Sequence, residues 1–213
     1  VGAKKLLSIV LVFAFALTCL SVAMPGVAAP QPALVTKAWE FKFTHATPRP
    51  IVVKNLRGEN EWYWYMTYKV VNNSGQERLF VPEITIATDQ GDILAAGKNV
   101  RTAVFEEIKK RVGNRLLESP TNVVSQILQG EDHAKESVAI WPALDHNVDR
   151  VSIFISGLSG ETALIKIPDP ADTKKTIDTL VAKTLMLDFD YPGAPTSPQE
   201  QPVIFKGSTW IMR

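Results

Sequence analysis

The stretch from Glu61 to Val71 constrains the fold more than any other part of the chain. Trp62, Trp64, Met66, Tyr68 and Val70 alternate with Tyr63, Tyr65, Thr67, Lys69 and Val71. Successive residues of a strand point to opposite faces. Both faces are bulky here, so this is read as a central strand that needs cover on both sides at its start.

Strand patterns continue around it. Trp39, Phe41 and Phe43 alternate with Glu40, Lys42 and Thr44, the period of a half-buried strand. Pro48 and Pro50 interrupt, and Ile51 to Val53 form a short second piece. Asn72-Asn73-Ser74-Gly75 signals a turn. A strand from Arg78 to Thr88 follows, then the turn Asp89-Gln90-Gly91-Asp92 and a short strand from Ile93 to Ala96. Strands alternating with turns at such short spacing indicate an antiparallel sandwich.

The period changes near Asn99. Val100, Val104, Phe105, Ile108 and Val112 recur at helical spacing, with Gly113 suited to the helix end. A second helix is predicted from Pro120 to Leu128. Ser119 would be its N-cap, and Val123, Val124, Ile127 and Leu128 its apolar face. The two helices form an insertion over 99–130. Further strands are read at Glu136–Trp141, Arg150–Ser156, Glu161–Ile167, Leu185–Tyr191 and Val203–Met212, with a helical turn near Ile177 to Ala182. The expectation is one all-β domain over 36–213, an antiparallel immunoglobulin-like β-sandwich with a two-helix insertion.

The chain opens differently. Lys4 and Lys5 precede an apolar run from Leu6, and small residues follow at Ala23, Gly26, Ala28 and Ala29. A basic start, a short apolar middle and a small-residue exit describe a secretory signal peptide. It is assigned to 1–28, followed by a Pro/Ala-rich tether over 29–35. The alternative is a retained anchor, since the run is near the lower length for spanning a bilayer. Thr18, Ser21 and Pro25 weaken its second half and favour cleavage after Ala23 or Ala28. No membrane span is expected in the mature chain, which is placed outside the cytoplasm, in the periplasm, the envelope or the medium.

The only cysteine is Cys19, within that leader. Neither disulfides nor thiolate metal sites are therefore expected after export, and stability must come from the apolar core. The chain carries 23 basic and 22 acidic side chains. Loss of Lys4 and Lys5 leaves a nearly neutral protein, with no electrostatic drive toward nucleic acid.

Each motif that touches on chemistry has a plainer reading. His45, His133 and His146 lack metal-ligand spacing, although Asp132 and Asp145 flank two of them. Gly157-Leu158-Ser159-Gly160 approaches a nucleophile elbow, but Glu161 stands where the last glycine belongs. Asp188 and Asp190 share a strand face and could pair as carboxylates or hold Ca²⁺; the plainer reading is a solvated face. Asn72-Asn73-Ser74 matches the glycosylation sequon. The candidate ligand or partner surface is Trp62, Tyr63, Trp64 and Tyr65, since flat aromatic rings stack on sugars and anchor protein interfaces. Alternate residues point apart, so one pair must be core if the other is open.

Val70-Val71-Asn72-Asn73-Ser74-Gly75, followed by Phe80 and Pro82, resembles telokin-like, immunoglobulin-type domains of exported bacterial proteins. Gly130-Glu131, the strand to Trp141 and Val151 to Leu158 are similar to the closing half of such domains. The resemblance implies fold and compartment, and no catalytic residues or cofactors. The resulting expectation is an exported, non-enzymatic module that engages another protein or an envelope component, through the insertion or the aromatic strand. Carbohydrate binding on stacked Trp and Tyr rings is the second reading, and an unrecognised secreted enzyme or metal-binding protein the third.

Overall fold

The computed structural model describes residues 30–33, 35, 38–144, 148–172, 174–191 and 203–213. The leader with Cys19, part of the tether, Asp145 and His146, and the loop over 192–202 lie outside the described residues.

The chain is built mostly of antiparallel strands in two packed sheets. Sheet A is organised by β3 (Asn60–Asn72), the long strand read from its aromatic alternation. Tyr65 lies opposite Arg49 of β2 (Arg49–Lys54) on one side and Ile140 of β8 (Lys135–Pro142) on the other. Tyr68 lies likewise between His45 of β1 (Phe41–His45) and Ser137 of β8. Therefore β1 and β2 run end to end along one edge of β3, and β8 fills the other. The break between them coincides with Pro48, and the Ala46 N–H bridges it by donating to the Thr67 carbonyl at 2.9 Å.

Sheet B runs in the order β6 (Ile93–Ala95), β5 (Glu83–Thr88), β9 (Arg150–Ser156), β11 (Thr176–Asp190), β12 (Ile204–Met212). Strand β10 (Thr162–Pro168) pairs with the first half of β11. Ala182 exchanges backbone hydrogen bonds with Arg213, whereas the Lys183 N–H donates to the Glu161 carbonyl. Neighbouring residues of a strand bond in opposite directions, so β10 continues the line of β9 and β12 takes the other edge. The helical turn anticipated near Ile177 is thus strand. Its pairs Ala163–Val181, Ile165–Thr179 and Ile167–Ile177 form a ladder that local propensity does not reveal.

Parity decides the layers. Trp64, Met66, Tyr68 and Val70 of β3 meet Ile84, Ile86, Ile153, Ile155, Leu185, Leu187 and Phe189 of sheet B in one core. Tyr63 and Tyr65 join Ile51, Val53, Val138 and Ile140 under helix α1 (Thr102–Val112), which contributes Val104, Phe105 and Ile108. Each large side chain so buried is worth about 1.5–3 kcal/mol. The helix ends at Gly113, in the left-handed region at φ 70°. Lys109, Lys110 and Arg111 occupy its last turn, complementing the negative end of the helix dipole.

The second expected helix is absent from the described residues. Ser119 caps a single turn, accepting from Asn122 N–H at 3.1 Å. The chain then enters β7 (Ser125–Ile127), which pairs with β4 (Arg78–Phe80). Val123 and Ile127 are four apart, and that spacing suits either a helix face or alternate turns of one strand parity. Burial against Phe80 selects the strand. The predicted strand over Arg78 to Thr88 is also divided, at Val81-Pro82, between this two-stranded ribbon and sheet B.

A backbone crossing joins the sheets before β1. The Phe41 N–H donates to the Leu158 carbonyl at 2.8 Å, and the Gly160 N–H to the Trp39 carbonyl at 3.0 Å. The Trp39 ring lies flat enough on Gly160 that an added Cβ would meet Nε1 at 2.3 Å. Gly160→Ala therefore forces the indole off its seat. Thermal unfolding should register a loss on the order of 1–3 kcal/mol, with a shift in tryptophan fluorescence.

Burial pushes the Tyr68 phenol up to about 12 from its ordinary 10.0. The folded chain then holds that proton more tightly than the unfolded chain. The stability so contributed is complete below about pH 10 and is lost as pH rises toward about 12. Burial raises Tyr191 in the same sense. Denaturant titrations at rising pH should show stability falling across this window, and a flatter fall in a Tyr68→Phe/Tyr191→Phe double variant.

Candidate functional site

The four aromatic candidates do not form one surface. Trp64, Tyr63 and Tyr65 are each about 5% exposed, whereas Trp62 is 38% exposed. Trp64 packs edge-on to Tyr191, with ring centroids 4.6 Å apart, and stands opposite Trp141. The Tyr63 hydroxyl donates to Glu61 Oε2 at 2.9 Å, and Arg101 Nη2 reaches the same oxygen at 2.8 Å. These bonds hold the Glu61 carboxyl below its ordinary range, the tyrosine contact contributing most. Trp62 is left with Val52 as its cross-strand partner, a single ring rather than a two-ring platform.

The polar candidates are each engaged separately. Asp188 accepts from Ser152 Oγ at 2.6 Å, and Asp190 pairs with Lys206 at 3.0 Å. Ser159 is buried and its Oγ accepts the Glu161 N–H at 3.1 Å, so it serves the turn. His45 packs among Phe43, Phe189 and Phe205, and His133 lies in the 3-10 turn Glu131–His133. Among the described residues no three His, Cys, Asp or Glu side chains gather as a metal site. A cleft of about 240 Å³ borders Lys69, Asn114 and Glu136. That is below the usual range for small-molecule pockets. Asn114 already donates to Glu136, and Lys69 pairs with Glu131.

Sequence reasoning missed a buried ion cluster. Lys183 is 4% exposed. Its Nζ lies 2.9 Å from Glu40 Oε2, 3.5 Å from Glu161 Oε2 and 4.9 Å from the Trp210 ring centroid. Glu161 Oε1 accepts the Ala33 N–H at 2.8 Å. A signal was present: Lys183 falls on the inward parity of Leu185, Leu187 and Phe189. Both carboxylates engage the one ammonium, so the side chain is committed to the cluster. It ties the segment before β1 to the β9–β10 corner and the strand pair β11–β12. Lys183→Ala would leave two carboxylates facing each other. Chemical denaturation should report a loss of about 3–5 kcal/mol, eased when Glu161→Gln is added.

Asn72, the sequon asparagine, is fully buried. Its Nδ2 donates to the carbonyls of Gln76 at 2.9 Å and Ile127 at 2.7 Å. Its Oδ1 accepts from Ser74 N–H and Ser74 Oγ. Every hydrogen-bonding site on the amide is used, leaving no nitrogen for a glycan. This amide clamps the β4–β7 ribbon to the end of β3.

The ribbon has two unlike faces. Phe80, Val123 and Ile127 enter the core. Outward stand Leu79 at 55%, Val81 at 53%, Val124 at 43% and Leu128 at 40% exposure. Leu79 pairs with Gln126; continuing that register brings Val81 level with Val124, so the four share one face, with the exposed Gln126 among them. No protein-family model, no curated protein and no solved structure matches the chain.

Proposed function

We propose that this chain is an exported, non-enzymatic binding module of immunoglobulin-like topology, whose partner is another protein or a proteinaceous envelope component. The strand order supports the topology. Labelling β1, β3, β5, β6, β8, β9 and β11 as A, B, C, C′, E, F and G gives pairings A–B–E and C′–C–F–G, the two sheets of that architecture. The helix α1 and β7 occupy the stretch between C′ and E, and β10 and β12 are additions. The basic-apolar-small leader supports export.

One observation carries the binding role: the outward face formed by Leu79, Val81, Val124 and Leu128 on a ribbon pinned by Asn72. A mostly apolar face with a polar side chain in it, on a rigid support, is what a protein interface buries. The residues come from the insertion and from the strand it pairs with.

A photo-crosslinking amino acid placed singly at positions 79 and 124, in a host that exports the chain, tests the reading. The expected result is the same discrete protein adduct from both positions, and none from position 106 on the exposed side of α1. Adducts at all three positions, or at none, would remove this surface from consideration.

A further inference from the structure

We propose that the β10–β11 ribbon is a self-association arm, and that its occupant is the same ribbon of a second copy of this chain. The inference concerns a surface separate from the β4–β7 face. The arm comprises Thr162–Pro168 paired with Thr176–Ala182. An isolated two-stranded ribbon is marginally stable in water, and this one carries apolar side chains on both sides. Ala163, Ile165, Ile167 and Val181 share the half-buried face; Leu164 and Leu180 share the other.

Leu164 is 72% exposed and Leu180 64%, and the two are directly opposite across the strands. The Lys183-to-Glu161 backbone bond makes their position a non-hydrogen-bonded pair, where side chains lie closest. They therefore act as one apolar knob. Two residues along each strand, on the same face, Lys166 stands opposite Asp178. No ion pair joins them among the described residues.

This placement is self-complementary. A two-fold contact presents the same patch from both copies. With the axis parallel to the strands and the exposed faces together, Leu164 lies over the second copy's Leu180 and Leu180 over its Leu164. The same rotation sets Lys166 over Asp178 of the other ribbon, and Asp178 over Lys166. Both leucine contacts and both charge contacts are met at once. The two bodies fall on opposite sides of the contact. Even-numbered residues of β11 share one face, exposed along the arm and covered at Thr184, while the odd-numbered Val181, Leu185, Leu187 and Phe189 turn inward. The exposed face of the arm therefore continues the outer face of sheet B, and each sandwich lies on the far side of its own arm.

Sedimentation equilibrium of the mature chain provides the test, with circular dichroism to verify folding. The wild-type chain should form dimers. Lys166→Asp alone opposes four carboxylates across the interface, and Asp178→Lys alone opposes four ammonium groups. Each variant should dimerise at least about tenfold more weakly. Mixed in equal amounts, the two single variants regain both opposite-sign contacts, so a heterodimer of near wild-type affinity should appear. The mixture leaves each chain's own folding unchanged, so recovery reports the contact between copies. A monomeric wild-type chain at several hundred micromolar, single variants that dimerise normally, or a mixture that stays monomeric would each overturn the proposal.

Discussion

Everything in this molecule is arranged around β3, a strand with both faces apolar and both edges paired. Its even-numbered residues require a second sheet, and its odd-numbered residues require α1. Neither cover can be removed without exposing tryptophan or tyrosine. A sandwich alone would leave Tyr63 and Tyr65 in water, so the helix is a third layer enforced by the alternation of one strand. The edges are equally committed, with β1 and β2 on one side and β8 on the other.

The second requirement is that the sheets stay in register without sulfur bridges. Two contacts near Trp39 meet it. The indole on Gly160 and the Glu40–Lys183–Glu161 cluster both fasten the segment before β1 to the β9–β10 corner. An ion cluster in a core is costly unless fully paired. Its geometric demand is its use here, because two carboxylates from distant parts of the chain must meet one ammonium.

Much of this was legible in the sequence, and the failures have a shared cause. Period-2 alternation found β1, β3, β9 and the second half of β11, and the 3.6 period found α1. Buried strands with strong alternation speak for themselves. The parts misread are those whose structure depends on a partner far along the chain. Val123 and Ile127 fit a helix until Phe80 is brought beside them. Ile177 to Ala182 fit a helical turn until β10 pairs with them. The error over β7 also concealed the candidate surface. On a helix, Val123, Val124, Ile127 and Leu128 form one buried stripe. On a strand they split, and Val124 and Leu128 turn outward to join Leu79 and Val81. Among the aromatic candidates the difficulty was different. The sequence marks four bulky rings and their parity, but which parity is covered depends on how far sheet B and α1 extend, and only Trp62 lies beyond both.

Two outward apolar faces carry the proposed recognition role. Several charges on the described surface are matched: Glu61 with Arg101, Glu131 with Lys42 and Lys69, Glu118 with Lys135, Asp190 with Lys206. Two apolar faces stand out on the described surface. The outward face of the β4–β7 ribbon and the leucine pair of the β10–β11 arm are each supported by ladder hydrogen bonds and buried neighbours, so they cannot fold inward to hide. A rigid apolar face that cannot collapse lowers its free energy only by meeting another surface. That is the physical basis for proposing both ribbons as interfaces, with the sandwich as the frame that holds them out.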